Sequence, residues 1–388
     1  MKLLLVPVAL ALSLAALASP RARADQPIEF TAELKALSSV AACDGTTPPA
    51  GIDPAAVKRH CDALDKIMAD YVTAWATPAR AFFDGLVPKD VPKTVVYPFG
   101  GADLLTALAV YPNVSELTSI SLEAGGDPRS ILRVDAKAFD KNLGLHRKFI
   151  GKLVEWNHSR TLDLGLLKGT PFPSQMIFAL VGLHTHGYEP IRLRAVRLEK
   201  DGGVHYYTQA DLDAADAQAK ALKGAAKNRR LNDLFAGYEI EFRKKGVANA
   251  PTQVYRHFQA NLDNEHLAAD PAILKYLDKR PTFAAMTKAA SYLLWWGNFK
   301  TIRDALLAHM TWMVTDSTGI LPRDLDPKVW EQTTYGVFDG SALDTANKEG
   351  VVALMEMWKA QPARALPFKY FGYPSKHLHG HLMVTKRR

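Results

Sequence analysis

Apolar runs separated by polar and glycine-containing segments in the first third of the chain predict two strands around a short helix. An apolar run over residues 93–98 ends at the glycine-containing segment 99–103, and apolar residues 104–110 then follow at helical density. A second apolar run, Leu117–Leu122, stops at residues 123–126. A strand, a helix and a strand within about 30 residues indicate a β-α-β unit, whose strands pair in parallel.

Further elements are predicted after this unit. Residues 191–198 alternate arginine with apolar side chains and turn through 201–203 into 204–207, which predicts an antiparallel hairpin at a sheet edge. Residues 281–308 have helical spacing. We therefore expect an α/β fold with a mixed, partly parallel sheet, a Rossmann-like β-α-β start and antiparallel edge hairpins. Other predicted strands cover 238–243, 253–262, 311–315, 329–338, 366–373 and 379–385, and other predicted helices cover 130–160, 172–184 and 209–236, the last as an exposed helix or loose insertion.

The N-terminal region has a different pattern. After a lead-in over residues 25–42, residues 53–83 open with a helix-start signal, Asp-Pro, and carry apolar side chains at intervals of three and four. The two cysteines of the chain, Cys43 and Cys61, lie here without C-x-x-C spacing. In an oxidising compartment such a pair is most simply a disulfide. We therefore predict a helical cap that a disulfide closes.

The first 24 residues have the pattern of a secretory signal peptide. Lys2 precedes an apolar run, Leu3–Ala18, and small residues precede a predicted cleavage site after Ala24, with a site after Ala18 as the alternative. The run is short for a bilayer span. We expect a periplasmic or secreted protein with no transmembrane span after cleavage. Export would separate it from ATP, NAD and S-adenosylmethionine.

The length of the chain bears on its division into domains, and its charge bears on which classes of partner it could bind. The 388 residues suit one large domain or two modest ones. We divide the chain into a signal peptide (1–24), a cap (25–85) and an α/β domain (86–388). The formal net charge of +8 is a mild excess, and basic residues do not interleave with aromatic ones, so no nucleic-acid partner is expected.

Six segments form a familiar set, in this order: Tyr97–Asp103, Leu122–Gly126, Lys288–Leu294, Asp316–Arg323, Trp330 with Tyr335-Gly336, and Leu366–Tyr373. Together they resemble a family of uncharacterised exported bacterial proteins, some of them lipoproteins. The resemblance implies an architecture and a location rather than a chemistry. No cysteine follows the apolar run of this chain, which departs from the lipoprotein members and argues against lipid attachment.

The first glycine turn is the leading candidate for a ligand site. Gly100 and Gly101 stand where a Rossmann-like fold has its ligand loop, and Glu123 ends the second strand, where such a fold places a ribose-binding acid. The full G-x-G-x-x-G is absent, and Asp103 near the helix start would repel a phosphate. We therefore expect no nucleotide cofactor. A tight structural turn with Asp103 as the helix-start group is the alternative to ligand binding.

Two further positions carry candidate chemistry. Asp316 follows a predicted strand, where it would act as a ligand-binding residue or general base, or close an Asx turn on its own backbone. Lys288 and Tyr292 lie four residues apart in the predicted helix, where a shared face could activate a hydroxyl; core and capping roles are the alternative. No G-x-S-x-G is present, which disfavours a serine hydrolase.

Histidines near the C-terminus are candidates for a metal site. His377, His379 and His381 alternate, so on a strand their rings would face one side and could bind Zn²⁺ or Cu²⁺. His184 and His186 form a second pair, and the chain contains no H-E-x-x-H. Exposed histidines on a terminal hairpin are the alternative, and no cofactor other than such a metal is expected.

The sequence therefore favours an exported protein that binds an unknown small molecule or envelope partner without catalysis. One alternative is an exported enzyme that uses Asp103, Glu123 and Asp316 as acids or bases near one crevice at the strand ends. Another is a metal-binding protein that uses the C-terminal histidines. Whether the three carboxylates line one deep pocket distinguishes binding from catalysis.

Overall fold

The computed structural model describes residues 26–134, 136–156, 161–338, 340, 347–369 and 380–388. Its strands are β1 (Thr94–Pro98), β2 (Glu116–Ser121), β3 (Tyr188–Leu198), β4 (Val204–Tyr206), β5 (Gly237–Lys244), β6 (Gln253–Gln259), β7 (Phe283–Thr287), β8 (Met310–Thr315), β9 (Trp330–Gly336) and β10 (His381–Arg387). Its α-helices are α1 (Thr31–Val40), α2 (Pro54–Tyr71), α3 (Thr77–Leu86), α4 (Leu104–Val110), α5 (Ala136–Trp156), α6 (Thr161–Gly165), α7 (Ser174–Thr185), α8 (Gln209–Ala219), α9 (Gly224–Leu234), α10 (Asn264–Ala269), α11 (Ala272–Asp278), α12 (Lys300–His309) and α13 (Lys348–Ala360).

Within the described ranges the strands form one mixed sheet in the order β4-β3-β5-β6-β2-β1-β7-β8-β10-β9. The five central strands, from β6 to β8, run parallel to one another. The flanking strands pair in antiparallel fashion. On one side these are β3, β4 and β5, and on the other side β10 pairs with β8 and β9. The predicted α/β fold with a mixed, partly parallel sheet is therefore confirmed, and β3–β4 is the edge hairpin.

Helices cover both faces of the sheet because neighbouring strand residues point to opposite sides. Val95 belongs to one core, which also contains Leu37 of α1 and Leu108 of α4. Val96 belongs to a second core on the other face, together with Ile273 of α11 and residues of α12. Strands that are buried on both faces are typical of parallel sheets between two layers of helices.

Some predicted elements are wrong. Residues 366–369, the described part of the predicted strand 366–373, form no strand. Residues 281–308 are not one helix: they form β7, a loop, two short 3₁₀ turns and α12. All five residues of β7 are buried, and so short an apolar run does not reveal by its spacing whether it is a strand or a helix. The lead-in over 25–42 contains α1, whose buried residues include Leu34 and Leu37.

The predicted disulfide is present. Cys43 follows α1, Cys61 lies in α2, and their Cα atoms are 5.5 Å apart. The Asp53 carboxylate caps α2 by accepting a hydrogen bond from the Ala55 amide at 2.9 Å. The bridge therefore joins the end of one cap helix to the first half of the next. None of the helices in the described ranges combines the length and apolar character needed to cross a bilayer.

A buried histidine in α5 makes stability depend on pH. His146 Nδ1 donates to the Asn142 carbonyl at 2.8 Å, and Nε2 accepts from the Ser174 hydroxyl at 2.9 Å. Burial lowers the pKa of His146 to about 4. Because the unfolded chain takes up this proton near pH 6.5, stability is present above that pH and is lost as the pH falls towards 4.

We expect this histidine to account for about 2 kcal/mol of the stability lost between pH 7.5 and pH 5. Urea unfolding at the two pH values should therefore show a smaller loss for His146→Gln than for the unsubstituted chain. Gln218→Ala, at an exposed position of α8 whose side chain does not titrate, is the control and should leave the pH dependence unchanged. An equal loss in the His146 variant would contradict a buried neutral ring.

Candidate functional site

A cleft of about 510 Å³ opens at the carboxyl ends of four parallel strands. Its walls are formed by the segments that directly follow β1, β2, β6 and β7, with side chains of α6 above them. Ligands of open α/β sheets bind at this position. The lining residues are Phe99, Gly101, Ser121, Leu122, Glu123, Thr161, Leu162, Leu164, Ala260, Asn261, Leu262, Asp263, Ala289, Ala290, Ser291, Leu293 and Phe299.

The glycine turn after β1 is closed on itself. The Gly100 amide donates to the carbonyls of Tyr97 and Ile120, each at 3.2 Å. A Cβ at Gly100 would lie 2.7 Å from Tyr97 Cγ, so a side chain is excluded there. Phe99 and Gly101 both have positive φ, 61° and 46°. The turn therefore places Gly101 at the wall of the cleft, while the Gly100 amide donates to backbone carbonyls of the protein itself.

Asp103 caps α4 and is saturated with hydrogen bonds. Its Oδ1 accepts from the Thr106 amide at 3.2 Å and from the Thr106 hydroxyl at 2.8 Å. Its Oδ2 accepts from the Tyr97 hydroxyl at 3.1 Å and lies 2.7 Å from Lys288 Nζ. Asp103 is buried and is not among the residues that line the cleft. Its carboxylate occupies the helix start, where a phosphate would otherwise bind.

Lys288 is a buried cation that faces two buried carboxylates. Its side chain is 1% exposed, and burial lowers its pKa, while the charges of Asp103 and Asp316 act in the opposite direction. It also donates to the Thr106 hydroxyl. The predicted helix over Lys288 and Tyr292 is wrong: Tyr292, at φ 59°, lies in the loop after β7, so the two do not share a helix face.

Asp316 follows β8, as predicted, and fixes the neighbouring loop. Its Oδ2 accepts from the Ala289 amide at 2.8 Å, and its Oδ1 accepts from the Thr318 amide at 2.8 Å. The Thr318 hydroxyl in turn accepts from the Ala290 amide at 3.0 Å. These bonds hold Ala289 and Ser291 with positive φ, 55° and 48°, at the wall of the cleft. Asp316 is fully buried and is not itself a lining residue.

Glu123 is the predicted acid that does face the cleft. It follows β2, its amide donates to the Ser121 hydroxyl at 3.2 Å, and its carbonyl accepts from His257 Nε2 at 2.7 Å. Its Oε1 is buried and has no hydrogen-bond partner among the described residues. The backbone of Glu123 is therefore held on both sides, and the residue lines the cleft.

Only some of the predicted site residues come together. Gly101 and Glu123 line the cleft, whereas Asp103 and Asp316 belong to the buried group around Lys288. The sequence prediction missed Asn261 and Leu162, which also line the cleft. Asn261 was missed because the predicted strand 253–262 runs past it, whereas the strand in the structure ends at Gln259; Leu162 lies far from any turn motif.

The histidine candidates are only partly described. His377 and His379 lie outside the described residues, and His381 is on β10, with its ring 5.2 Å from Phe338. His186 is buried 3.2 Å from Arg80 Nε, and burial lowers its pKa to about 3. Among the described residues, no group of three His, Cys, Asp or Glu side chains could hold a metal ion.

Comparisons with known proteins found no relative of this chain. No family model matches the chain. Neither the curated proteins nor the solved structures contain a match. The functional argument therefore rests on the geometry of the cleft and of the buried group beside it.

Proposed function

We propose that this chain is an exported protein that binds a small molecule in the cleft and does not catalyse its conversion. The observation that carries the proposal is the separation of the three candidate acids. Glu123 lines the cleft, whereas Asp103 and Asp316 are buried and accept from backbone amides, and Asp103 also pairs with Lys288. This arrangement favours binding over acid-base catalysis.

The lining of the cleft also supports binding. Among its described residues there is no His, Cys, Lys or Tyr. A nucleophilic hydroxyl needs such a base within hydrogen-bond reach. Most lining residues are apolar, with a few polar groups between them, which is the usual character of small-molecule sites.

Export is part of the proposal. The Cys43–Cys61 disulfide supports it, because structural disulfides form and persist in oxidising compartments. The signal-peptide pattern of residues 1–24 and the resemblance to exported bacterial proteins point the same way. A periplasmic or secreted binding protein would bind ligands that occur outside the cytosol.

Filling the cleft should abolish ligand binding. We expect compounds from a metabolite library to stabilise oxidised protein by about 2.7 kcal/mol at one hundred times their Kd, as an increase in Tm. Ala260→Trp places an indole at the wall of the cleft and should remove these increases. The control is Ala250→Trp, because Ala250 precedes β6 at the opposite end of that strand. Increases that persist in the Ala260 variant, or none with the unsubstituted protein, would contradict the proposal.

A further inference from the structure

The charge of the cleft restricts what it can bind. Although the chain has a formal net charge of +8, the described lining residues include two carboxylates, Glu123 and Asp263, and neither lysine nor arginine. Asp263 is already engaged, since its Oδ1 accepts from the His266 amide at 2.9 Å and lies 2.8 Å from the ring Nδ1. The cleft therefore presents one open acid and disfavours anionic ligands.

The open acid is Glu123, and it is held in place. The ring that donates to its carbonyl, His257, is itself fixed by a 2.9 Å contact between Nδ1 and the Ser119 hydroxyl. Leaving a buried carboxylate oxygen without a donor costs free energy. A ligand that donates a hydrogen bond to the Glu123 carboxylate would lower this cost.

The position of Glu123 indicates which donors it meets. In folds with parallel strands of this kind, an acid at the end of the second strand, about 20 residues after the glycine turn, accepts hydrogen bonds from ribose hydroxyls. Glu123 directly follows β2 at a comparable distance from Gly101. Each carboxylate oxygen has more than one lone-pair site, so the carboxylate can accept from two adjacent hydroxyl groups on a ring.

Apolar side chains beside Glu123 supply a surface for the rest of the ligand. Leu122 is 52% exposed and Leu162 is 82% exposed, and both line the cleft. The rings of Phe99 and Phe299, also in the lining, pack edge to face with centroids 5.9 Å apart. These residues would cover the flat or apolar part of a ligand whose hydroxyl groups reach Glu123.

Phosphate is excluded at the glycine turn. The Gly100 amide is used by two carbonyls, and the start of α4 is occupied by the Asp103 carboxylate. An anion placed there would meet a negative charge instead of free amides. The same turn that positions Gly101 at the cleft thus selects against phosphorylated ligands.

Building on the proposed function, we infer that the ligand carries a vicinal diol on a sugar ring, has an apolar or aromatic flank, and has no phosphate. Ribonucleosides and glycosides share this chemistry. In both, two ring hydroxyls donate to the Glu123 carboxylate and the flank lies against Leu122 and Leu162.

Isothermal titration of the oxidised protein tests the inference with ribonucleosides, methyl mannoside and methyl riboside as probes. At least one should bind with saturation, and the probe class that binds identifies the source of the diol. The matching deoxy compound and the matching phosphate ester should each bind about tenfold more weakly or worse. Failure of every diol to bind, equal binding of a deoxy compound, or tighter binding of a phosphate ester would overturn the inference.

Variants separate a ligand contact from a structural role. Glu123→Gln should weaken diol binding at least about tenfold. Without ligand it should melt no lower than the unsubstituted chain, because it removes a buried charge. Glu331→Gln, on the edge strand β9 and paired with Lys386, is the matched control and should leave binding unchanged. Unchanged binding by the Glu123 variant, or a Tm several degrees lower, would contradict the inference.

If library compounds without a diol bind and Ala260→Trp abolishes their binding, the cleft proposal stands while the diol inference fails.

Discussion

Replacing Lys288 by methionine is expected to destabilise the folded chain by about 3–5 kcal/mol. The substitution keeps an unbranched side chain of similar length but removes the cation that faces Asp103 and Asp316, both of which remain buried. A buried charge that loses its partner is among the most costly single changes. Urea unfolding at neutral pH should give the loss as a lower transition midpoint with an unchanged slope.

Two further variants test whether the loss of stability in Lys288→Met comes from the unpaired buried carboxylates. Adding Asp103→Asn to Lys288→Met should recover part of the lost stability, because the unpaired carboxylate is then gone. Lys300→Met is the control: Lys300 is exposed, forms an i,i+4 pair with Asp304, and should change stability by less than about 1 kcal/mol. A loss of similar size for Lys288→Met and Lys300→Met would mean that Lys288 is not a buried partner of the acids.

Removing the disulfide is expected to cost about 3 kcal/mol. Cys43 and Cys61 are 18 residues apart in sequence, and an open loop of that length gives the unfolded chain more conformations. The double variant Cys43→Ser, Cys61→Ser should therefore unfold at lower urea concentration. A reductant should lower the stability of the unsubstituted chain by a comparable amount and leave the variant unchanged. Equal stability with and without the bridge would show that it does not constrain the cap.

Local patterns in the sequence predict the elements whose spacing is distinctive. The β1–α4–β2 unit was predicted because a buried run, a glycine turn and a helical run follow one another within a short segment. The β3–β4 hairpin was predicted because arginine alternates with apolar residues before the turn at 201–203. β7 was missed because five consecutive buried residues fit a strand and a helix equally well.

The candidate site was only half predictable for a different reason. Glu123 and Gly101 could be placed at the carboxyl ends of strands from their positions alone. The ion pair between Asp103 and Lys288 joins residues 185 positions apart, and no local pattern records it. The role of Asp316 in fixing Ala289 also depends on the neighbouring positions of β7 and β8 in the sheet.

The central claim, that the cleft at the strand ends binds a small ligand, is tested most directly by methyl NMR. Leucine-labelled protein would be titrated with the metabolite library and with the ribonucleosides and methyl glycosides named above. The account predicts saturable shifts of Leu122, Leu162, Leu164 and Leu293, which line the cleft. Shifts confined to a different cavity, such as that of Leu34 and Leu180, or no shift at any of the four leucines, would contradict it.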